Sequence, residues 1–165
     1  MYAHILAPID GSTTSSHAFD EALKVARAND AILQPLYVVD PQPLAYDTTA
    51  AFYSDMHDAL LEEGRRLIAQ ATERMSREGV KGTPRISEVE LTGDDIAQRI
   101  ETCAEEFGAD LVVMGTHGRR GWRRLALGSV ADRFMRLARC PVILVPGREA
   151  EAQAKPRKPA ARSAG

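Results

Sequence analysis

Residues 111–129 read LVVMGTHGRRGWRRLALGS and place two glycine segments between an apolar run and a helix. The opening LVVM is continuously apolar, which is typical of a strand buried on both faces of a sheet. Gly115 and Gly118 follow this strand, and Gly128 with Ser129 precedes the helix. Glycine tolerates positive φ and lets an anion approach bare amide N–H groups, and both properties help a loop to hold phosphates. The stretch therefore predicts a strand, a phosphate-binding loop and a helix.

The second glycine segment lies where an amphipathic helix begins. Ser129 is predicted to be the N-cap of that helix, with Asp132 completing a pattern like the capping box. The free N–H groups of the first turn would then face whatever lies before them. Glycine also occurs in strand-to-helix loops for turn geometry alone, so each glycine is weak evidence by itself. The conjunction of two glycine segments, a capped helix start and a position after a strand favours nucleotide binding.

Apolar runs and helical stripes alternate along the rest of the chain. Four predicted helices separate five predicted strands, which cover 2–9, 31–39, 84–91, 111–114 and 142–145. This alternation implies an α/β fold with a single parallel five-stranded sheet, right-handed crossovers and helices on both faces. Ligands of such sheets bind outside the carboxyl ends of the strands. The candidates at that edge are Asp10, Val38 and Gly115.

The composition is that of an ordinary soluble domain. The 165 residues are 44% apolar and 27% charged, and the formal net charge is -2, which gives no global attraction to nucleic acid or anionic lipid. No apolar run reaches the roughly 18 residues of a membrane span, and the first residues lack the basic region of a secretory signal. We therefore expect a cytoplasmic protein without a membrane partner. Cys103 and Cys140 lie in apolar-periodic segments and are predicted to be reduced packing residues.

The periodic pattern stops at Gly147. The residues beyond it are mainly Ala, Pro, Lys, Arg, Glu and Ser without periodicity, which predicts disorder. We expect one domain over residues 1–147 and a disordered tail over residues 148–165. Residues 40–50 contain Pro41 and Pro43 and are predicted to form a loop, a candidate lid over the strand ends.

The spacing Gly115-x2-Gly118-x9-Gly128-Ser129 resembles the ATP-binding signature of universal stress proteins. The resemblance covers roughly residues 1–147. Three shorter motifs after the first strand, after the second strand and at the start of the last support it: Pro8-x-Asp10-Gly11-Ser12, Val38-Val39-Asp40 and Cys140-Pro141-Val142. The resemblance implies a Rossmann-like sheet of order 3-2-1-4-5 that binds adenine nucleotide at the switch point between strands one and four.

The resemblance also implies roles for individual residues. Asp10 and the Val38 backbone would contact ribose and adenine. The phosphates would be held by Gly115, Gly118, Gly128, Ser129 and Val130. The same pocket would be lined by Pro8, Met114 and His117. The ligand would be ATP; Asp10 would either hold Mg²⁺ through water or make a sugar contact or helix cap.

A homodimer through the last strand is a further implication of the resemblance. The family order places this strand at one edge of the sheet, and it contains neither lysine nor an internal proline; its residues are Val142, Ile143, Leu144 and Val145. Unpaired backbone groups along an apolar edge invite pairing, and a second copy of the chain would satisfy them.

Two features near the glycine segments have alternative interpretations. His117 has the chemistry of a general base or a metal ligand, but lining the pocket is favoured. The histidines His4, His17 and His57 show no ligand spacing, so no metal site is predicted from side chains. The stretch Arg119–Arg124 combines four guanidinium groups with a tryptophan, which suits nucleic acid. Its phosphate-facing position and the acidic balance of the chain favour a solvated loop over the nucleotide.

The sequence lacks the P-loop, the dinucleotide glycine motif, the zincin motif and the nucleophile elbow. A related-fold enzyme that adenylates its substrate would place paired glycines after the first strand, where this chain has Asp10-Gly11-Ser12-Thr13. No acid–base pair is evident beside the phosphates, so hydrolysis would be slow. The favoured function is a nucleotide-responsive stress protein that binds an unidentified downstream protein. The alternatives are a slow ATPase or adenylating enzyme, and an interaction module without nucleotide.

Overall fold

Strand and helix alternate along the part of the chain that the structure, a computed structural model, describes: residues 1–41, 50–90, 93–118 and 127–147. The strands are β1 His4–Pro8, β2 Ile32–Val39, β3 Arg85–Glu88, β4 Leu111–Gly115 and β5 Val142–Val145. The helices are α1 Thr13–Asn29, α2 Ala50–Glu78, α3 Ile96–Phe107 and α4 Ser129–Leu137. The predicted alternation of five strands and four helices is thus confirmed.

The five strands form one parallel sheet in the order β3-β2-β1-β4-β5. This confirms the predicted order 3-2-1-4-5. In the centre of the sheet, Ile5 of β1 is in register with Leu111 of β4, and Leu6 with Val112. The chain order reverses between these two strands, so their carboxyl ends open a crevice in which ligands of such folds bind.

Helices cover both faces of the sheet because the central strands are apolar on both sides. Ile5 and Leu111 pack with α1 and α2 on one face, whereas Leu6 and Val112 pack with α3 and α4 on the other. None of these four side chains has exposed surface. This two-sided burial explains why the β4 sequence shows no alternation between apolar and polar residues.

Strand β3 is shorter than its prediction over residues 84–91. It lies at one edge of the sheet, pairs with β2, and its residues are half-buried or exposed, as expected. The Val89 N–H still donates to the Val39 carbonyl at 2.9 Å, so the ladder continues by one hydrogen bond past the strand. Leu91, the last residue of the predicted strand pattern, lies outside the described residues.

Helices α1 and α3 begin at residues whose side chains cap them. The Ser12 hydroxyl caps α1 by accepting from the Ser15 N–H at 3.1 Å, and the Asp95 carboxylate caps α3 by accepting from the Gln98 N–H at 2.9 Å. Helix α3 ends at Gly108, whose φ of 68° lies in the left-handed region. The cap of α1 places its first turn directly after β1, at the carboxyl edge of the sheet.

Three predicted features lie wholly or mostly outside the described residues: the candidate lid over 40–50, of which 42–49 are not described, the arginine-rich stretch 119–124 and the tail 148–165. None of the described helices is long and apolar enough to span a membrane. Cys103 is buried and Cys140 half-buried, and both are free thiols.

Candidate functional site

A cavity of about 280 Å³ opens at the carboxyl edge of the sheet, at the ends of β1, β2 and β4 and at the start of α4. Every residue that the sequence analysis singled out as a ligand contact lines it. These residues are Pro8, Asp10, Val38, Met114, Gly115, His117, Gly118, Gly128, Ser129 and Val130. The fold therefore brings together residues from four separate segments of the chain. Their contact with a nucleotide stays a prediction.

Asp10 is held at the turn between β1 and α1 by two hydrogen bonds. The Ile9 N–H still donates to the Leu36 carbonyl of β2 at 2.8 Å. The next N–H group, that of Asp10, does not pair with β2 and donates to the Ser15 hydroxyl oxygen at 3.0 Å. The Asp10 carboxylate accepts through Oδ1 from the Ser12 N–H at 2.9 Å. One carboxylate oxygen and the backbone of Asp10 are thus both fixed by the start of α1.

Gly118 approaches this carboxylate closely. A Cβ atom built on Gly118 would lie 2.6 Å from Asp10 Oδ2, well inside ordinary van der Waals contact. The φ angle of Gly118 is not in the left-handed region. Gly118 therefore needs to be glycine because there is no room for a side chain. The sequence prediction gave two reasons for glycine in this loop, positive φ and close approach, and only close approach applies at Gly118.

Close packing also surrounds Gly115 and Gly128. A Cβ on Gly115 would lie 2.8 Å from Thr14 Cγ2 in α1, and a Cβ on Gly128 would lie 3.1 Å from the Thr116 carbonyl oxygen. The Gly128 N–H donates to that same carbonyl at 2.8 Å. This bond joins the two glycine segments, so the end of β4 and the start of α4 lie side by side at the cavity.

The predicted N-cap role of Ser129 is wrong. Gly128 is the N-cap of α4, with φ -62° and ψ 150°, and Ser129 is the first helical residue. Asp132 pairs with Arg136 at 3.2 Å and does not complete a capping box. The hydrogen bond from Gly128 to Thr116 holds the N-cap backbone extended, so the helix begins one residue earlier than predicted. Gly128 has no side chain that could cap α4, and no side chain of the described residues does so; the N–H groups of the first turn lie at the cavity.

Part of the cavity lining is apolar. It consists of strand residues and of residues of α2 and α3: Val38, Met114, Leu60, Ile96 and Ile100. An apolar lining with a few polar groups is typical of small-molecule pockets. The cavity therefore combines apolar side chains with the N–H groups at the start of α4.

Helix α2 lies directly against the cavity wall because Gly64 has no side chain. A Cβ on Gly64 would lie 2.6 Å from Cδ1 of Tyr37, which lines the cavity and is 3% exposed. The Tyr37 hydroxyl donates to the Glu63 carboxylate at 3.4 Å. The close approach of α2 also brings Leu60 to the cavity.

The ionisable side chains that line the cavity among the described residues are Asp10, Tyr37, Asp40 and His117. The Nδ1 atom of His117 lies 2.9 Å from the Thr116 hydroxyl oxygen. Within the described ranges, no three His, Cys, Asp or Glu side chains are grouped as metal ligands, and no Lys or Arg lines the cavity. Of the described groups, backbone N–H groups, hydroxyl groups and the positive end of the α4 dipole are those suited to an anion.

Ser15 and Leu60 line the cavity but were not predicted from the sequence. Ser15 is 5% exposed and lies on the buried stripe of α1, which continues with Ala18 and Phe19. A polar residue in an apolar stripe is a signal that could have identified it, because buried polar groups need partners. Leu60 belongs to the apolar stripe of α2, and a leucine that lines a cavity has the same pattern as a leucine in the core.

The chain matches the model of the universal stress protein family over residues 1–146. It is 34% identical over 145 residues to a universal stress protein of Methanocaldococcus jannaschii, and the match covers 88% of this chain and 82% of that protein.

Solved structures are similar over the same region. A protein of the universal stress protein family from Burkholderia pseudomallei is 47% identical, with a TM-score of 0.73, over 88% of this chain and 96% of its own. A universal stress protein solved in complex with cAMP is 25% identical, with a TM-score of 0.61, over 88% of this chain and 98% of its own. Because the family model spans residues 1–146 and these relatives match over most of their length, the chain belongs to the universal stress protein family.

Proposed function

We propose that this protein binds an adenine nucleotide, ATP, in the cavity at the carboxyl edge of the sheet, and that it acts by binding. One observation carries the proposal: the lining of a single cavity combines apolar side chains with three closely packed glycines beside a helix start that no described side chain caps. The apolar side chains suit the base, and bare N–H groups at a helix N-terminus suit phosphates. The likeness to a universal stress protein solved with cAMP supports a ligand of this class.

Different cavity residues would contact different parts of the nucleotide. Asp10 and the Val38 backbone contact the sugar and the base. The phosphates lie against Gly115, Gly118, Gly128, Ser129 and Val130. The walls of the same pocket include Pro8, Met114 and His117. Mg²⁺ bound with the nucleotide would be held mainly by phosphate oxygens; of the two alternative roles of Asp10, the sugar contact is assigned here in place of a water-mediated contact with the ion.

We expect hydrolysis of the bound ATP to be slow. The groups assigned to the phosphates are backbone N–H groups and the Ser129 hydroxyl. Such groups stabilise negative charge, but they do not remove a proton from an attacking water. The bond from the Ser12 N–H to Asp10 Oδ1 favours an orienting role for Asp10 in binding.

We further propose that nucleotide occupancy controls shape or the choice of a protein partner during a stress response in the cytoplasm, in a homodimer joined through β5. Strand β5 is at the sheet edge, and β4 is its partner in the described part of the sheet. Its residues Val142, Ile143 and Leu144 are only half-buried in the single chain. Pairing with a second copy would satisfy the edge and cover these side chains.

The deciding experiment is to identify the small molecule that purifies with the protein. Freshly purified protein is denatured, and the released compounds are separated by chromatography and identified by mass spectrometry. An adenine nucleotide in near-equal amount to the protein supports the proposal. A protein that releases none, and that shows no heat of ATP binding in calorimetry, would instead be an interaction module. Rapid phosphate release would identify an ATPase, and pyrophosphate release with an adenylated acceptor would identify an adenylating enzyme.

A further inference from the structure

The buried hydroxyl group of Ser15 has its hydrogen-bond partner outside α1. It is 5% exposed and is the polar member of the buried set of this helix, which is otherwise Ala18, Phe19, Ala22, Leu23 and Ala26. A buried hydroxyl group costs free energy unless it is hydrogen-bonded. The Ser15 hydroxyl oxygen accepts from the Asp10 N–H at 3.0 Å. The buried polar group therefore holds a residue outside the helix.

This bond is separate from the cap of α1. The cap is made by the Ser12 hydroxyl oxygen, which accepts from the Ser15 N–H at 3.1 Å. Ser15→Ala keeps that N–H, and hence the cap, but removes the acceptor for the Asp10 N–H. Ser12→Ala removes the cap but leaves the Ser12 N–H, which donates to Asp10 Oδ1 at 2.9 Å. Single substitutions can thus separate the two roles of the first turn.

The two restraints together direct the second oxygen of the Asp10 carboxylate. Ser15 fixes the backbone of Asp10, and Ser12 fixes Oδ1. Oδ2 lies on the side of Gly118, where Asp10 and Gly118 both line the cavity. Because an aspartate side chain has only two rotatable bonds, any shift of the Asp10 backbone moves the carboxylate with it.

We propose that Ser15 is a positioning residue for sugar recognition: it holds Asp10 so that Oδ2 accepts hydrogen bonds from the ribose hydroxyls of the bound nucleotide. Carboxylates accept readily from ribose hydroxyls, and such bonds weaken steeply with small errors of distance or angle. The inference rests on the proposed function, because it requires a nucleotide in the cavity. Its specific consequence is that Ser15 sets the preference for ribose over a sugar without these hydroxyls.

The test compares the affinities for ATP and for 2′,3′-dideoxy-ATP by calorimetry on the full chain. The parent should prefer ATP by about tenfold, the effect of losing a hydrogen bond to a charged group. Ser15→Ala should reduce this preference to less than about twofold, since the carboxylate is no longer directed. Ser16→Ala is the matched control: it removes an exposed hydroxyl group from the same turn of α1, at a residue that does not line the cavity, and its preference should equal that of the parent. A merely structural role for Ser15 would weaken both nucleotides equally and leave the ratio unchanged.

Ser15→Cys replaces Ser15→Ala if the alanine variant does not fold, because the thiol is similar in size and a weak acceptor. Its preference for ATP should fall in the same way. A folded Ser15 variant with the parent's ratio overturns this inference alone. A parent that binds both nucleotides equally also overturns it, while nucleotide binding stands. A parent that binds neither nucleotide overturns the proposed function and this inference with it.

Discussion

Gly118 and Asp10 lie so close that a methyl group on Gly118 would be 2.6 Å from Asp10 Oδ2. This approach joins the loop after β4 to the turn after β1, across the point where the strand order reverses. The candidate phosphate loop and the candidate sugar-binding carboxylate therefore belong to one site. A side chain added at Gly118 would displace the Asp10 carboxylate.

Gly118→Val should abolish ATP binding. The valine side chain would displace the Asp10 carboxylate and fill the space through which phosphates approach the loop. ATP at a hundred times Kd should stabilise the parent by about 2.7 kcal/mol, and this stabilisation should vanish in the variant. Thermal unfolding with and without ATP measures it, and calorimetry gives the affinity.

Gly108→Ala is the matched control for that variant. Gly108 ends α3 with φ 68°, and apart from its chain neighbours no heavy atom of the described residues lies within 4 Å of the position of its Cβ. The alanine should cost about 1 kcal/mol of stability because of the left-handed backbone, with no loss of ATP affinity. An unchanged ATP affinity in Gly118→Val would contradict the assignment of the site.

Asp10→Ala should weaken ATP binding by about tenfold, because it removes the charged acceptor that we assign to the sugar. Any slow turnover of bound ATP should change less than the affinity. Asp10→Asn keeps an oxygen for the Ser12 N–H and should have intermediate affinity. Both variants are compared with the parent by calorimetry and by a phosphate-release assay. Fast release in the parent that Asp10→Ala removes without loss of affinity would make Asp10 a catalytic residue instead.

Glu101 is a buried carboxylate whose Oε2 atom has no hydrogen-bond partner among the described residues. Burial, and secondarily the charge of Glu105, raises the pKa of Glu101 above its ordinary 4.5, and Arg139 opposes this rise. A raised pKa means that the folded state binds the proton more tightly than the unfolded chain. The stability from this group is therefore fully present below pH 4.5 and is lost as the pH rises through the folded-state pKa.

Glu101→Gln should consequently raise the free energy of unfolding by about 1 kcal/mol at neutral pH, because the amide carries no charge to desolvate. The gain should shrink toward zero at about pH 4, where Glu101 of the parent is protonated. Urea unfolding at both pH values measures it. Glu73→Gln, which breaks an exposed pair with Arg77, should change stability by less than about 1 kcal/mol. A gain that does not vary with pH would rule out this account of Glu101.

Ile143→Lys should convert the proposed dimer to a monomer, because the ammonium group would be buried where β5 meets its copy. Light scattering at tens of micromolar protein measures the mass of parent and variant. Ser87→Lys, on β3 at the opposite edge of the sheet, should leave the dimer intact. A monomeric parent, or an Ile143→Lys dimer as tight as the parent, would show that β5 is not the interface.

The elements of this protein could be predicted from local sequence patterns. The apolar run of β4 and the stripe of α1 with its Ser12 cap depend on neighbouring residues, so their form can be inferred without the rest of the fold. The order of the strands was predicted only through the family resemblance, because periodicity does not say which strands pair. Half of the residues that line the cavity were likewise named through that resemblance, but Ser15 and Leu60 were not; the apolar pattern around Leu60 is that of a core residue.

Only the tertiary structure decided how the site is held together. Gly118 lies close to Asp10, and the Asp10 N–H donates to the Ser15 hydroxyl oxygen. Gly128, and not Ser129, is the N-cap of α4. Each of these contacts involves groups on different elements or on a turn between them. Serine is a favoured capping residue, so Ser129 was the expected N-cap. The bond from the Gly128 N–H to the Thr116 carbonyl instead holds the backbone of Gly128 extended, and the helix begins at Ser129. Such contacts depend on how β1, β4, α1 and α4 pack against one another, and local residue preferences are weaker than that packing.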